Sequence, residues 1–214
     1  MDRFTAEGDP EGVAFSLLFL GNVTDDPAEG IAMQESALLT FRKRGRTIAT
    51  YAARIFKSVN LVRAGDLEAA LELRQKLVAE AIATPILPEL TAWTHWTLAL
   101  LLFNLDRLEE AVDHNRYVLD VAIEIRSQEM IASSGDLVAV AEAAQGRLEE
   151  ATLIHGACQQ IWDRLGVAIW WEAAMLIEAA MAKARQQLGD AEHERLLAQG
   201  AAMSLDELIE FLGV

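Results

Sequence analysis

Three stretches decide how this chain is read: Gly65-Asp66-Leu67-Glu68-Ala69-Ala70, Asp106-Arg107-Leu108-Glu109-Glu110-Ala111 and Gly146-Arg147-Leu148-Glu149-Glu150-Ala151. Each opens on a turn residue, continues with Leu-Glu, and places Ala third after the Leu. Asp25-Asp26-Pro27-Ala28-Glu29-Gly30 is a weaker fourth copy. The aligned small residues Gly30, Ala70, Ala111 and Ala151 are spaced by 40, 41 and 40 positions. A fixed period of this size marks a helical repeat whose units stack to share a core.

The physics of one unit follows from its residues. A helix ends at the turn and a second begins at Leu67, Leu108 or Leu148. Asp26, Pro27 and Glu29 make a good helix start, with an N-cap, a proline at the first helical position and a carboxylate at the third. Twelve residues before the small positions, three copies are small again, at Ser58, Ala99 and Ala139. Small residues on both helices let the two backbones approach. The spacing predicts helices over 11–20, 26–44, 47–63, 67–83, 89–104, 108–126, 128–144, 148–165, 168–187, 190–199 and 204–212. Pro85 and Pro88 break the chain between the second and third hairpins. Ser204 and Glu207 form a capping box for the last helix, while Gly135 is an awkward residue inside a helix. No stretch alternates like a strand.

Composition agrees. Of 214 residues, 36 are alanine, and the hydrophobic fraction is 52% with only 4 prolines. That excludes a disordered polyanion and favours packed helices. The expected fold is all-α: a right-handed superhelix of antiparallel helix pairs, with about four repeats and C-terminal capping helices over 168–214. Residues 1–10 are expected to be a flexible N-terminus, and 11–214 a single repeat domain.

Acidic residues outnumber basic ones 33 to 18, for a net charge of −15. Nucleic acid and anionic membranes reward the opposite balance, so direct contact with either is not expected. The densest basic run, Phe41-Arg42-Lys43-Arg44-Gly45-Arg46, falls at a helix C-terminus, where cations complement the dipole. The longest uncharged apolar run, Leu90 to Leu105, holds 16 residues, short of the roughly 20 needed to span a bilayer. Cys158 is the sole cysteine, so neither an internal disulfide nor a cysteine zinc site is expected. The polar N-terminus does not read as a signal peptide, and a cytoplasmic location is expected.

The hairpins resemble tetratricopeptide repeats, with a period longer than the usual one. They are similar to the tetratricopeptide-like sensor region of maltose-regulator-type transcription factors and related signalling ATPases. Glu35-Ser36-Ala37-Leu38-Leu39-Thr40-Phe41-Arg42-Lys43-Arg44-Gly45 resembles a helix ending of those regions. Leu153-Ile154-His155-Gly156-Ala157 fits them as well, as does the tail from Ala184 to Leu208, with Leu188, Gly189, Gly200 and Ser204-Leu205-Asp206-Glu207. The resemblance implies a sensor and protein-interaction module, either detached from a larger regulator or freestanding. The chain has no Gly-x-x-x-x-Gly-Lys-Ser/Thr phosphate loop and no basic helix-turn-helix, so ATP hydrolysis and DNA binding are not carried over.

Catalytic chemistry finds few candidates. His95, His114, His155 and His193 form no recognised metal motif, and no metal or other cofactor is expected. Asp113-His114 lacks a nucleophile elbow. Repeated acidic pairs such as Glu109-Glu110 and Glu149-Glu150 read as dipole complements, and Cys158 as a small core residue. The aromatics offer more. Trp93, His95 and Trp96, with Leu100 and Phe103, form a stripe, and Ile55 and Val59 join it from the preceding hairpin. Such a stripe is either core or an apolar groove. Trp170 and Trp171 cannot both face inward on one helix. The expectation is a non-catalytic module that takes a protein or peptide partner in that groove, a basic one given the net charge. The alternative is a sensor holding a small-molecule effector there. An enzyme is the remote third reading, and an uncapped repeat end favours a homodimer.

Overall fold

A computed structural model of the chain describes residues 8–84 and 87–213. Among these residues there are eleven α-helices and no strand. They are α1 (Pro10–Val23), α2 (Pro27–Lys43), α3 (Thr47–Arg63), α4 (Leu67–Ala83), α5 (Pro88–Asn104), α6 (Leu108–Glu124), α7 (Gln128–Ala144), α8 (Leu148–Leu165), α9 (Trp171–Leu188), α10 (Asp190–Ala201) and α11 (Leu205–Phe211). The fold is all-α, and consecutive helices pack together as in an α-solenoid of helix pairs. Pro85 and most of the expected flexible N-terminus at 1–10 lie outside the described residues. Helix α1 already begins at Pro10, capped by the Asp9 carboxylate, which accepts from the backbone N–H of Glu11 and Gly12 at 3.0 and 3.1 Å.

The helices start at 27, 47, 67, 88, 108, 128 and 148. From α2 to α7 each is 17 residues long. The forty-residue period is therefore two near-identical steps of helix plus short turn. The single extra residue enters between α4 and α5, which is why the middle spacing is 41. The turns share one device. The backbone N–H of Arg46, Asp66, Arg107, Ser127 and Arg147 donates back to the carbonyl five residues earlier, at Phe41, Leu61, Leu102, Ala122 and Glu142. The residue before each donor has positive φ: Gly45, Gly65, Asp106, Arg126 and Gly146. This is the Schellman closure, which satisfies the orphan carbonyls of the ending helix.

The N-termini are satisfied as the sequence implies at several points. Asp26 caps α2 through Ala28 N–H at 2.9 Å, and Asp66 caps α4 through Ala69 N–H at 3.2 Å. Ser204 and Glu207 close a reciprocal capping box on α11. The basic run at 41–46 does end α2, with Arg42 and Lys43 in its last turn. Arg107 and Arg147 occupy N-cap positions without a side-chain cap. Arg107 instead forks onto Glu110 at 2.6–2.7 Å, so this repeated acid has a local structural partner.

The chain divides into two compact units, Met1–Thr97 and Leu98–Val214, the division falling within α5. In the first unit α1 packs on α2 and α3, and α3 on α4. Ala14, Leu18, Ala37, Phe41, Ala49 and Ala53 form its core around α1–α3. Gly30 is required there, because a Cβ would stand 2.4 Å from Gly21 O and 2.5 Å from Asn60 Nδ2. In the second unit α7 packs on α6, α8 and α9, and α8 on α10 and α11. Gly135 sits inside α7 because a side chain would collide with Cys158 Sγ at 2.7 Å. The repeat-defining Ala70, Ala111 and Ala151 are fully buried, as are Ser58, Ala99 and Ala139.

Candidate functional site

The aromatic stripe does not form an open groove. Ile55, Val59, His95, Trp96, Leu100 and Phe103 are all at most 9% exposed, and only Trp93 is partly accessible. Trp93 and Trp96 meet edge to face, with ring centroids 5.2 Å apart. The physical reason lies in α5 itself. Every residue from Leu98 to Phe103 is buried, which is more than a full helical turn. A helix apolar all round is enclosed rather than grooved. The groove reading is corrected: these side chains are core.

A different row of polar residues emerges from the repeat. One turn after each small residue, at Gln34, Arg74, Asn115 and His155, stands a polar side chain that reaches a neighbouring helix. In the first unit, Gln34 Oε1 accepts from Asn60 Nδ2 at 3.0 Å, and Asn60 also donates to Gly21 O at 2.6 Å. Arg74, fully buried, donates from Nε to Ser58 Oγ at 2.9 Å and from Nη1 to Thr97 O at 2.5 Å. In the second unit, Asn115 Nδ2 donates to Ser134 O at 2.9 Å and Ser134 Oγ returns to Asn115 Oδ1 at 3.0 Å. Position 155 repeats the pattern, with His155 Nδ1 2.8 Å from Asp136 Oδ1. Buried polar groups must find partners, so this row fixes the register of helix against helix.

Asp136 is the most chemically loaded member. It is 1% exposed and also accepts the Trp162 indole N–H through Oδ2 at 2.8 Å. Cys158 is fully buried, and its thiol is pushed well up by desolvation and by the Asp136 charge. A thiol held in its protonated form is a poor nucleophile. Asp136 thus joins His155 and Trp162 of α8 to α7 by hydrogen bonds, with the protonated Cys158 thiol packed beside them. Among the described residues no cluster of three or more His, Cys, Asp or Glu is arranged to hold a metal ion.

The remaining histidines are set apart from one another in role. His114 is pulled below its ordinary pKa by burial, against the charges of Glu110 and Asp113. His193 on α10 is 6% exposed and is pulled down by burial, then by Arg185 and His155, with Asp190 and Glu194 opposing. The paired tryptophans diverge as expected: Trp170 Nε1 donates to Glu172 Oε2 at 3.2 Å, while Trp171 is 37% exposed.

Accessible apolar surface lies elsewhere. On α1, Phe15, Phe19 and Val23 follow at i, i+4 and i+8, and they are 42%, 58% and 74% exposed. Phe15 stacks at a tilt on Phe41, with ring centroids 4.8 Å apart, so the stripe is anchored in the core beneath it. Phe15, Ser16 and Phe19 share a shallow depression with Arg44. The basic end of α2 therefore borders this stripe. No helix among the described residues is long and apolar enough to cross a membrane. No family model matches the chain, and neither a curated protein nor a solved structure matches it.

Proposed function

We propose that this chain is a non-catalytic helical-repeat interaction module, a tetratricopeptide-like scaffold that takes a protein or peptide partner in a regulatory or signalling setting. The observation that carries the reading is the α1 stripe. Three large apolar side chains on one face of a helix, each more than 40% exposed, form the kind of patch that soluble proteins keep for contacts. Stacked helix pairs present such faces rigidly, which lowers the ordering cost of binding.

The net charge of −15 favours a basic partner over most of the surface. Beside the stripe the local charge is the reverse, since Arg42, Lys43 and Arg44 are exposed at the end of α2. At this face the complement is an amphipathic helix with acidic flanks.

The reading is tested with a panel of synthetic helical peptides that share one aliphatic face and carry acidic, neutral or basic flanks. Anisotropy titrations are run on the wild-type chain and on Phe19→Asp. Preferential binding of the acidic peptide, lost in Phe19→Asp and weakened by salt, supports it. Equal affinity for all three peptides in both proteins counts against it.

A further inference from the structure

The second unit contains an open cavity of about 430 Å3 between the end of α5, the start of α6, α7 and α9. Its wall is mostly apolar, formed by Phe103, Leu108, Val140 and Leu176. The space exists because the helices present alanines to it, among them Ala143 and Ala180. Interiors normally close such gaps. This one stays accessible, at a size within the range of about 300–1,000 Å3 usual for small-ligand sites.

Lys183 of α9 stands on the same wall. Its Nζ donates to Ala143 O at 2.6 Å, a carbonyl in the last turn of α7. That bond fixes the ammonium without neutralising it. Among the described residues no salt bridge joins Lys183 to a carboxylate, while Arg185, two positions on, holds Asp190 and Glu194. In a chain of net charge −15, a half-buried cation bonded only to a neutral oxygen is unusual. An ammonium has three N–H donors, so two remain for an incoming anion. Asp106, the other ionisable residue of the wall, is exposed, so solvent screens its charge.

We propose that this cavity binds a small amphipathic monocarboxylate, with its apolar body against Phe103, Leu108, Val140 and Leu176 and its carboxylate on Lys183 Nζ. Three observations converge on that class. The wall rewards an apolar body. The fixed ammonium rewards one anion through a charge-assisted hydrogen bond. The apolar wall penalises burial of a second charge.

The test is calorimetric titration of the full chain with decanoate, decanol and decanedioate. Decanoate is expected to bind, with decanol weaker by about tenfold through the loss of one charge-assisted hydrogen bond, and decanedioate weaker because its second carboxylate would be buried against the apolar wall. Lys183→Gln retains a donor for Ala143 O but drops the charge. It should weaken decanoate by about tenfold and leave decanol unchanged, while Lys183→Arg preserves decanoate binding. Ala180→Leu fills the cavity and should abolish binding of all three. Should that variant fail to fold by circular dichroism, the lysine pair decides alone. No heat with decanoate, or affinity that is the same in wild type and Lys183→Gln, overturns the proposal. Phe19→Asp serves as the separate control: it removes the α1 stripe and leaves decanoate affinity untouched.

Discussion

The indole N–H of Trp162 and the Nδ1 of His155 converge on the two oxygens of Asp136, both at 2.8 Å. Trp162 and His155 belong to α8 and Asp136 to α7, so one buried carboxylate ties two helices together. Asp136→Ala strands both donors in a buried site. The expected loss is about 3 kcal/mol, since each orphaned buried donor costs about 1–3 kcal/mol. Asp136→Asn keeps one acceptor and should lose roughly half as much. Urea denaturation followed by tryptophan fluorescence measures both, and equal stability of Asp136→Ala and wild type would show that the pair holds nothing.

Two glycines separate crowding from backbone strain. A Cβ on Gly200 of α10 would stand 2.0 Å from Leu153 O of α8. Neither backbone can yield without parting the helices, so Gly200→Ala should cost about 3 kcal/mol, at the upper end of overpacking effects. Gly146 has φ +84° and open space around its missing side chain. Gly146→Ala should cost only about 1 kcal/mol, the penalty of a left-handed alanine. Thermal melts of the two variants should fall in that order.

Acid should weaken the fold in two stages. His193 is held below its ordinary pKa of 6.5 by burial, Arg185 and His155, with Asp190 and Glu194 opposing, and His114 is lowered by burial. Unfolded histidines take up protons that these two refuse, so stability is full above pH 6.5 and falls as pH drops below it. Glu80, Glu110, Glu192 and Glu207 are lowered by Arg54, Arg107, Arg195 and Ser204. Their contribution is present above the ordinary carboxylate value of 4.5 and is lost at lower pH. Denaturation midpoints between pH 7 and 5 should decline, and His193→Gln should flatten that segment while leaving the steeper fall below pH 4.5.

The last helix is short enough for its cap to matter. Ser204 Oγ accepts from Glu207 N–H at 3.2 Å, and Glu207 Oε2 accepts from Ser204 N–H at 2.7 Å. Ser204→Ala should cost about 1 kcal/mol. Hydrogen exchange should show faster opening confined to α11, and a change spread through α7 and α8 would contradict this local role.

The helices were legible because their ends are written in residues with few alternatives. Gly65 and Gly146 take positive φ readily, and Asp26 and Ser204 cap by side chain. Asp106 and Arg126 adopt the same left-handed backbone, yet nothing in their chemistry demands it, and only their place in the repeat identifies Arg126. The aromatic stripe misled for another reason. Trp93, Trp96, Leu100 and Phe103 show the spacing of one face, and spacing alone does not distinguish a helix covered on one side from one covered on all. The buried polar row at Gln34, Arg74, Asn115 and His155 was available in the alignment that revealed the small residues, four positions further on. Its partners were not, because Asn60 and Ser134 follow their row residues in the chain while Ser58 and Asp136 precede theirs. Lys183 carries no motif, and its meaning depends on the carbonyl of Ala143, forty residues away.

The twenty-residue step has a consequence for length. Arg107 and Arg147 both stand immediately before a helix, and both are followed by Leu-Glu-Glu-Ala. Joining Arg107 directly to Leu148 would therefore recreate the same turn, with its left-handed residue and its closing hydrogen bond. Two whole helices would be removed, and the helix before the junction would keep the closure of its C-terminal carbonyls. A chain built on this metric can be shortened or lengthened in whole hairpins, as a measuring rod is cut at its graduations.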